Sequence, residues 1–272
     1  MRTRSVLYLP AFNERAVQKA RGLNCDIALL DLEDAVAPEM KLEARAAAVA
    51  AVQQGGFGPR LGVRINALDT VWGADDLKAL RDAPIDLIVA PKVESGVMVH
   101  ALSAALRPGA ALWAMIETPR ALVDLKDIAE ADGALSGLMM GVNDLAKDLK
   151  TGAAPDREPL KPWLAAIVAH ARANGLSVID GVFNRIKDEA GFAAECAQGR
   201  LYGFDGKSLI HPSQIEGANA AFGASREEIE WARKLIVAFA APEAEGLGVI
   251  RVEGEMVERL HLEQAQALLA SL

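Results

Sequence analysis

The feature of this 272-residue sequence that most narrows its fold is a regular alternation. Short apolar runs rich in Val, Ile and Leu are separated by longer, Ala-rich, charge-dotted segments of helical period, and the pattern persists to about position 220. Strands are expected near 4–10, 27–33, 60–66, 87–93, 111–117, 136–142, 176–182 and 202–210. Helices are expected near 14–22, 39–52, 73–82, 96–106, 119–130, 159–173, 187–198 and 212–221. About eight βα units in roughly 220 residues matches an α/β fold of the (β/α)8 TIM-barrel type. A doubly wound open sheet would carry a Gly-rich phosphate turn after its first strand, and Pro10-Ala11-Phe12-Asn13 has none. The expected division is a catalytic barrel over 1–222 and a C-terminal helical extension, a tail or lid, over 223–272. In the extension an amphipathic helix (Ile229, Trp231, Leu235, Ile236, Phe239) ends at Pro242. A strand-like run, Val249-Ile250-Arg251-Val252, and a last helix from about Met256 to Leu269 follow.

Composition removes several classes of function. A formal charge of −8 with no dense Lys/Arg tract argues against nucleic acid as a partner, since such binding rests on neutralising phosphates. No apolar run approaches a membrane span, and the apolar stretch after Met1-Arg2-Thr3-Arg4 stops at Pro10, too soon for a signal peptide. Cys25 and Cys196 are the only cysteines, which leaves no disulfide framework or cysteine zinc site and makes the reducing cytoplasm the expected compartment.

In a barrel the chemistry sits at the C-terminal ends of the strands, and here nearly every expected strand ends in charge. The second ends Asp31-Leu32-Glu33-Asp34, the third carries Arg64 and Asn66, and the fourth ends Pro91-Lys92-Val93-Glu94. The fifth ends Ile116-Glu117-Thr118, the sixth runs into Gly141-Val142-Asn143-Asp144, the seventh has Asp180, and the eighth has Asp205-Gly206-Lys207. Any one of these would serve as a helix cap or a salt bridge. A whole ring of acids and bases reads as a functional mouth, because capping needs no Arg on strand three and no Lys on strand eight. Glu117 and Asp144, on adjacent strands with no nearby Cys or useful His, suit a hard oxygen-seeking ion such as Mg²⁺. Arg64 is a planar cation suited to a carboxylate or a developing enolate oxygen.

Taken in order, these stretches resemble the citrate lyase β-subunit-like, or HpcH/HpaI aldolase/citrate lyase, superfamily. The matching runs are Arg4-Ser5 with Pro10, Asp31-Leu32-Glu33-Asp34-Ala35-Val36, Val63-Arg64-Ile65-Asn66, Pro91-Lys92-Val93-Glu94-Ser95, Ile116-Glu117-Thr118, Gly141-Val142-Asn143-Asp144-Leu145 and Gly203-Phe204-Asp205-Gly206-Lys207-Ser208-Leu209-Ile210-His211-Pro212. The resemblance implies a Mg²⁺-dependent lyase that cleaves a malyl-, citramalyl- or citryl-type acyl-CoA thioester to acetyl-CoA, or a homologue, and a 2-keto acid. It implies Mg²⁺ on Glu117 and Asp144, with Arg64 stabilising the thioester enolate and Glu33 and Asp34 orienting waters and cations. CoA would be held by Arg4, Arg15, Lys19, Lys41 and Arg45. The assembly would be a homotrimer or a dimer of trimers, with a tail carboxylate reaching a neighbouring subunit's site as general acid/base. In this chain that carboxylate is Glu258, in Gly254-Glu255-Met256-Val257-Glu258, where the family carries an aspartate. Ala11 likewise replaces the glycine that commonly follows the first-strand proline.

The longer Glu258 side chain keeps open a malyl-CoA-type thioesterase, in which water attacks the thioester. A citrate lyase β subunit acting on a carrier-protein thioester also remains, as does a non-catalytic barrel, against which the charge ring argues. A metal-dependent aldolase without CoA would need a histidine base at the mouth. His211 reads as a structural cap after strand eight, and His100, His170 and His261 lie at helical positions with no partner cluster.

Overall fold

The computed structural model describes residues 3–152, 154, 156–270 and 272; Met1 and Arg2 of the N-terminal run considered above lie outside them. Two compact units are present, Thr3–Phe222 and one that includes Gly223–Leu272. The first is a closed barrel of eight parallel strands in sequential order. They are β1 (Ser5–Pro10), β2 (Ile27–Asp31), β3 (Arg60–Arg64), β4 (Leu87–Ala90), β5 (Ala111–Ile116), β6 (Leu135–Met140), β7 (Ser177–Asp180) and β8 (Gly206–Leu209). The barrel closes where Ser5, Val6 and Leu7 pair with Lys207, Ser208 and Leu209. The helices of this unit are α1 (Glu14–Ala20), α2 (Lys41–Gln54), α3 (Gly73–Leu80), α4 (Gly96–Ala105), α5 (Pro119–Val123), α6 (Leu125–Ala129), α7 (Val142–Asp148), α8 (Lys161–Ala173), α9 (Glu189–Tyr202) and α10 (Ile215–Phe222).

Both faces of a parallel strand are covered, so the strands are near-continuous apolar runs. One face of each fills the barrel interior, where Val6, Ile27, Leu29, Leu87, Val89, Trp113, Met115, Met139 and Ile179 form a closed cluster. The other face packs under the helices with residues such as Leu7, Leu30, Val63, Ile88, Ala114 and Val178. Trp113 is accommodated by its cross-strand partner Gly137, since a Cβ there would lie 2.6 Å from the indole Nε1. Any side chain at Gly137 would displace the largest residue of the interior.

Within the barrel unit the structure departs from the sequence expectations in three places. The helix expected over 119–130 is two short helices broken at Asp124; the second presents Asp127, whose carboxylate accepts the Gly96 amide at 2.7 Å and so caps α4. Helix α7 was not expected; its first residue, Val142, read as the end of the sixth strand. The eighth strand is shorter than the expected 202–210, since α9 runs to Tyr202 and stops at the left-handed Gly203 (φ 96°).

In the second unit α11 (Arg226–Ala240) opens with a capping box between Ser225 and Glu228. A hairpin of β9 (Val249–Val252) and β10 (Glu255–Glu258) precedes α12 (Arg259–Ala270). The last helix therefore begins three residues later than expected. Glu253 (φ 51°) and Gly254 (φ 91°) are both left-handed, the backbone that a two-residue hairpin turn requires. Ala232, Leu235, Val252, Val257 and Ala265 form this unit's own apolar cluster. Among the described residues no helix is long and apolar enough to cross a membrane.

Candidate active site

Strand register builds the centre of the barrel mouth. Asp31 and Arg64 end neighbouring strands as direct partners, so the guanidinium meets the carboxylate as a fork. Arg64 Nε donates to Asp31 Oδ1 at 2.7 Å and Nη2 to Oδ2 at 2.6 Å. Its Nη1 lies 2.9 Å from Glu33 Oε2 and donates to Asp34 Oδ2 at 3.2 Å. The guanidinium stacks 4.7 Å from the centre of the Tyr8 ring, whose hydroxyl donates to Met139 Sδ at 3.0 Å. Arg64 is only 6% exposed, so it acts first as the hub that holds three acids.

The acids differ in proton affinity. Burial works to raise the Asp31 carboxyl, but the charge and hydrogen bonds of Arg64 outweigh it and hold the group below the ordinary carboxylate range. Glu33 goes the other way: burial pushes it up to about 8, opposed by Arg64 and assisted by Glu117, Asp34 and Asp31. Its buried Oε2 makes no hydrogen bond although it lies near Arg64 Nη1.

Glu117 follows β5 and is 2% exposed. Its Oε1 accepts the backbone N–H of Lys92 at 2.8 Å, which Lys92 presents from a left-handed conformation (φ 50°). Such a backbone costs about 1–3 kcal/mol in a non-glycine residue and persists where the surroundings fix it. Burial raises Glu117 to about 7, with Asp144 and Asp34 adding to the effect. Asp144 stands in the first turn of α7. Gly141 lets that helix begin against Glu117, since a Cβ at 141 would lie 2.4 Å from Glu117 Oε2. Glu117, Asp144, Asp31, Asp34, Arg64 and Tyr8 line one cavity of about 350 Å³.

This donor set fits a hard divalent cation. Two carboxylate ligands with room for water and substrate oxygens are typical of Mg²⁺, and Glu117 and Asp144 line one cavity of that kind. Among the described residues no cluster of three or more His, Cys, Asp or Glu side chains is placed to hold a metal.

The structure brings Glu33, Asp34, Arg64, Glu117 and Asp144 to one mouth and gives several other charged candidates partners elsewhere. Arg4 precedes β1 at the opposite end of the barrel and is bound to Asp26, Nε at 3.0 Å and Nη2 at 2.7 Å. Arg45 joins α2 to α3 through Asp76 at 2.6 Å and the Trp72 carbonyl at 3.1 Å. Lys41 is buried, and its ammonium donates to the carbonyls of Leu32 and Glu33 at 2.8 and 2.7 Å. All three cations have partners within the protein. Arg15 and Lys19 are exposed on α1.

Asp180 and Lys207 also leave the mouth ring. Lys207, fully buried, binds Asp180 at 2.9 Å and Glu195 of α9 at 2.8 Å, and Arg157 adds a 2.7 Å bond to Asp180. Asp205 pairs with Arg172 at 2.6 Å, and Asn66 is tied to Asp76. His211 caps the turn before α10 by accepting the Ser213 amide. Glu258 is exposed on β10 of the second unit, its amide donating to His261 Nδ1 at 2.9 Å.

Sequence reasoning assigned no role to Asp31, Tyr8 or Lys92. Asp31 and Lys92 stood within charged strand ends, but only register and backbone angles single them out. Lys41 is a positioning residue for the acidic loop. Lys41→Met leaves two strand-end carbonyls without their donor, and urea unfolding is expected to show a loss of about 1–3 kcal/mol.

The family described as HpcH/HpaI aldolase/citrate lyase matches residues 4–212. A (3S)-malyl-CoA thioesterase of Cereibacter sphaeroides is 47% identical over 268 residues, covering 98% of this chain and 93% of that protein. A citrate lyase subunit beta of Leuconostoc mesenteroides is 35% identical over 277 residues, covering 98% and 92%. Among solved structures, the protein CitE from Mycobacterium tuberculosis in complex with magnesium, acetoacetate and coenzyme A is similar, with a TM-score of 0.83 and 32% identity over 99% of this chain and 97% of that one.

Proposed function

Because the chain belongs to the HpcH/HpaI aldolase/citrate lyase family, we propose that it is a Mg²⁺-dependent enzyme that hydrolyses a malyl-type hydroxy-dicarboxylic acyl-CoA to CoA and the free hydroxy acid. The observation that carries this reading is its 47% identity, across 98% of the chain, to (3S)-malyl-CoA thioesterases, against 35% to a citrate lyase β subunit. Magnesium in the CitE complex, together with the two-carboxylate mouth here, supports the metal.

In this account Glu117 and Asp144 hold Mg²⁺, which when bound supplies a Lewis acid for the substrate's oxygens. Arg64 keeps Asp31, Glu33 and Asp34 in fixed positions, so the charge pattern facing the substrate is set before binding. Arg15 and Lys19 on α1 are the exposed cations for the CoA phosphates. Water adds to the thioester carbonyl carbon, the C–S bond breaks, and the sulfur leaves as the CoA thiol after receiving a proton. Glu258 from a neighbouring copy in a trimer, or dimer of trimers, is the acid–base group of the proposal. A carboxylate there can take the proton from water and return it to the departing sulfur.

Carbon–carbon cleavage to acetyl-CoA and a 2-keto acid is the second reading, favoured by the likeness to citrate lyase β subunits. Incubation with Mg²⁺ and malyl-CoA separates the two. Free CoA and malate in equal amounts, lost under EDTA, are expected. Acetyl-CoA and glyoxylate in equal amounts would replace the hydrolase with the lyase. Inertness toward malyl-CoA with turnover of a carrier-protein thioester would point to a citrate lyase β subunit.

A further inference from the structure

We propose that Lys92 is the specificity residue for the free carboxylate of the acyl group, its ammonium pairing with that carboxylate at the barrel mouth; this rests on the malyl-type substrate argued above. The mouth presents five carboxylates, Asp31, Glu33, Asp34, Glu117 and Asp144, and an anionic substrate needs a cation with donors to spare. Arg64 has few. Three of its nitrogens already face Asp31, Glu33 and Asp34, and it is buried against Tyr8.

Lys92 is differently placed. Its side chain is 43% exposed, and its ammonium is 3.8 Å from Glu33 Oε1, its one ion pair among the described residues. No hydrogen bond involving Nζ occurs there, so its three N–H donors stand open. It is also fixed as few surface lysines are. Its φ of 50° is a strained setting for a residue with a Cβ, and its own amide is anchored on Glu117 Oε1. The backbone that anchors the candidate metal ligand is therefore also the one that carries the lysine. A cation beside Glu33 and Glu117 both lowers the repulsion felt by an incoming carboxylate and supplies a point contact for it.

The test compares wild type, Lys92→Met and Lys92→Arg with two thioesters: malyl-CoA, and 3-hydroxybutyryl-CoA, which carries a methyl where malyl-CoA carries the carboxylate. The second is read as substrate or as competitive inhibitor. L-malate binding in the presence of Mg²⁺, and Mg²⁺ binding alone, are followed by calorimetry. For Lys92→Met, malate is expected to bind about 10-fold or more weakly. The loss on malyl-CoA, mostly in KM, is expected to exceed that on 3-hydroxybutyryl-CoA by about 10-fold, with Lys92→Arg restoring much of it. Equal losses on both thioesters, or unchanged malate affinity, would overturn the assignment, as would a wild-type protein that binds no malate. Failure of wild type to hydrolyse malyl-CoA would instead count against the proposed activity, and the malate comparison would still decide the role of Lys92.

Discussion

Glu117→Gln is expected to lower Mg²⁺-dependent turnover by three orders of magnitude or more, and to remove measurable Mg²⁺ binding, while the barrel remains folded. The carboxylate is almost fully buried at the mouth and anchored on the Lys92 amide. An amide keeps its shape and one acceptor but loses the charge, and the charge stabilisation that a metal gives is worth several kcal/mol, on the order of 10³-fold in rate. Stability should move the other way. Burial raises the Glu117 carboxyl to about 7, so folding favours its protonated form. In metal-free buffer the wild type therefore loses stability as pH climbs from the ordinary carboxylate range through about 7. Glu117→Gln does not incur that cost, and its urea midpoint should exceed the wild type's at pH 8 and approach it at pH 5. A variant that is inactive and also less stable at pH 8 would mean that the carboxylate holds the fold and not the metal.

Asp180→Ala should give the largest stability loss of any single substitution considered. Asp180 and Lys207 are wholly buried, Arg157 nearly so, and Asp180 accepts from both cations. Its removal leaves two buried positive charges facing Glu195 alone, a change that costs about 3–5 kcal/mol. Urea unfolding measures this directly, and a loss under about 1 kcal/mol would show that the network contributes little. The pH dependence has a definite sign. Burial opposes ionisation of Asp180, but Lys207 and Arg157 outweigh it and hold the carboxyl below its ordinary range. Its contribution is therefore complete above the unfolded carboxylate range and is lost as pH falls through the lower folded value. Asp180→Ala should flatten that acid limb.

The barrel was legible in the sequence because eight apolar runs covered on both faces carry a strong periodic signal, as did the order of their charged ends. That Glu117, Asp144 and Arg64 would share one mouth was legible for the same reason: they stand at the ends of strands whose direction the fold fixes. Side-chain direction at the other charged ends was not. Lys207 and Asp180 look like mouth residues by position, yet they turn outward to Glu195 and Arg157, which come from α9 and the segment preceding α8. Lys41 and Arg45 look like free basic residues, but their partners are a strand-end backbone and Asp76, contacts that only the packing of α2 creates. The strained Lys92 could not be foreseen, because nothing in Pro91-Lys92-Val93 distinguishes a left-handed lysine from an extended one. The hairpin ending in Glu258 was missed because its alternation is brief and its turn rests on Glu253 adopting a positive φ beside Gly254.

The central claim, that water attacks the thioester carbonyl in a metal-dependent mouth, is tested most directly by turnover of malyl-CoA in H₂¹⁸O with Mg²⁺. The account predicts CoA and malate with one ¹⁸O in the carboxylate derived from the thioester, and no glyoxylate. Glyoxylate with acetyl-CoA, or malate free of label, would contradict it.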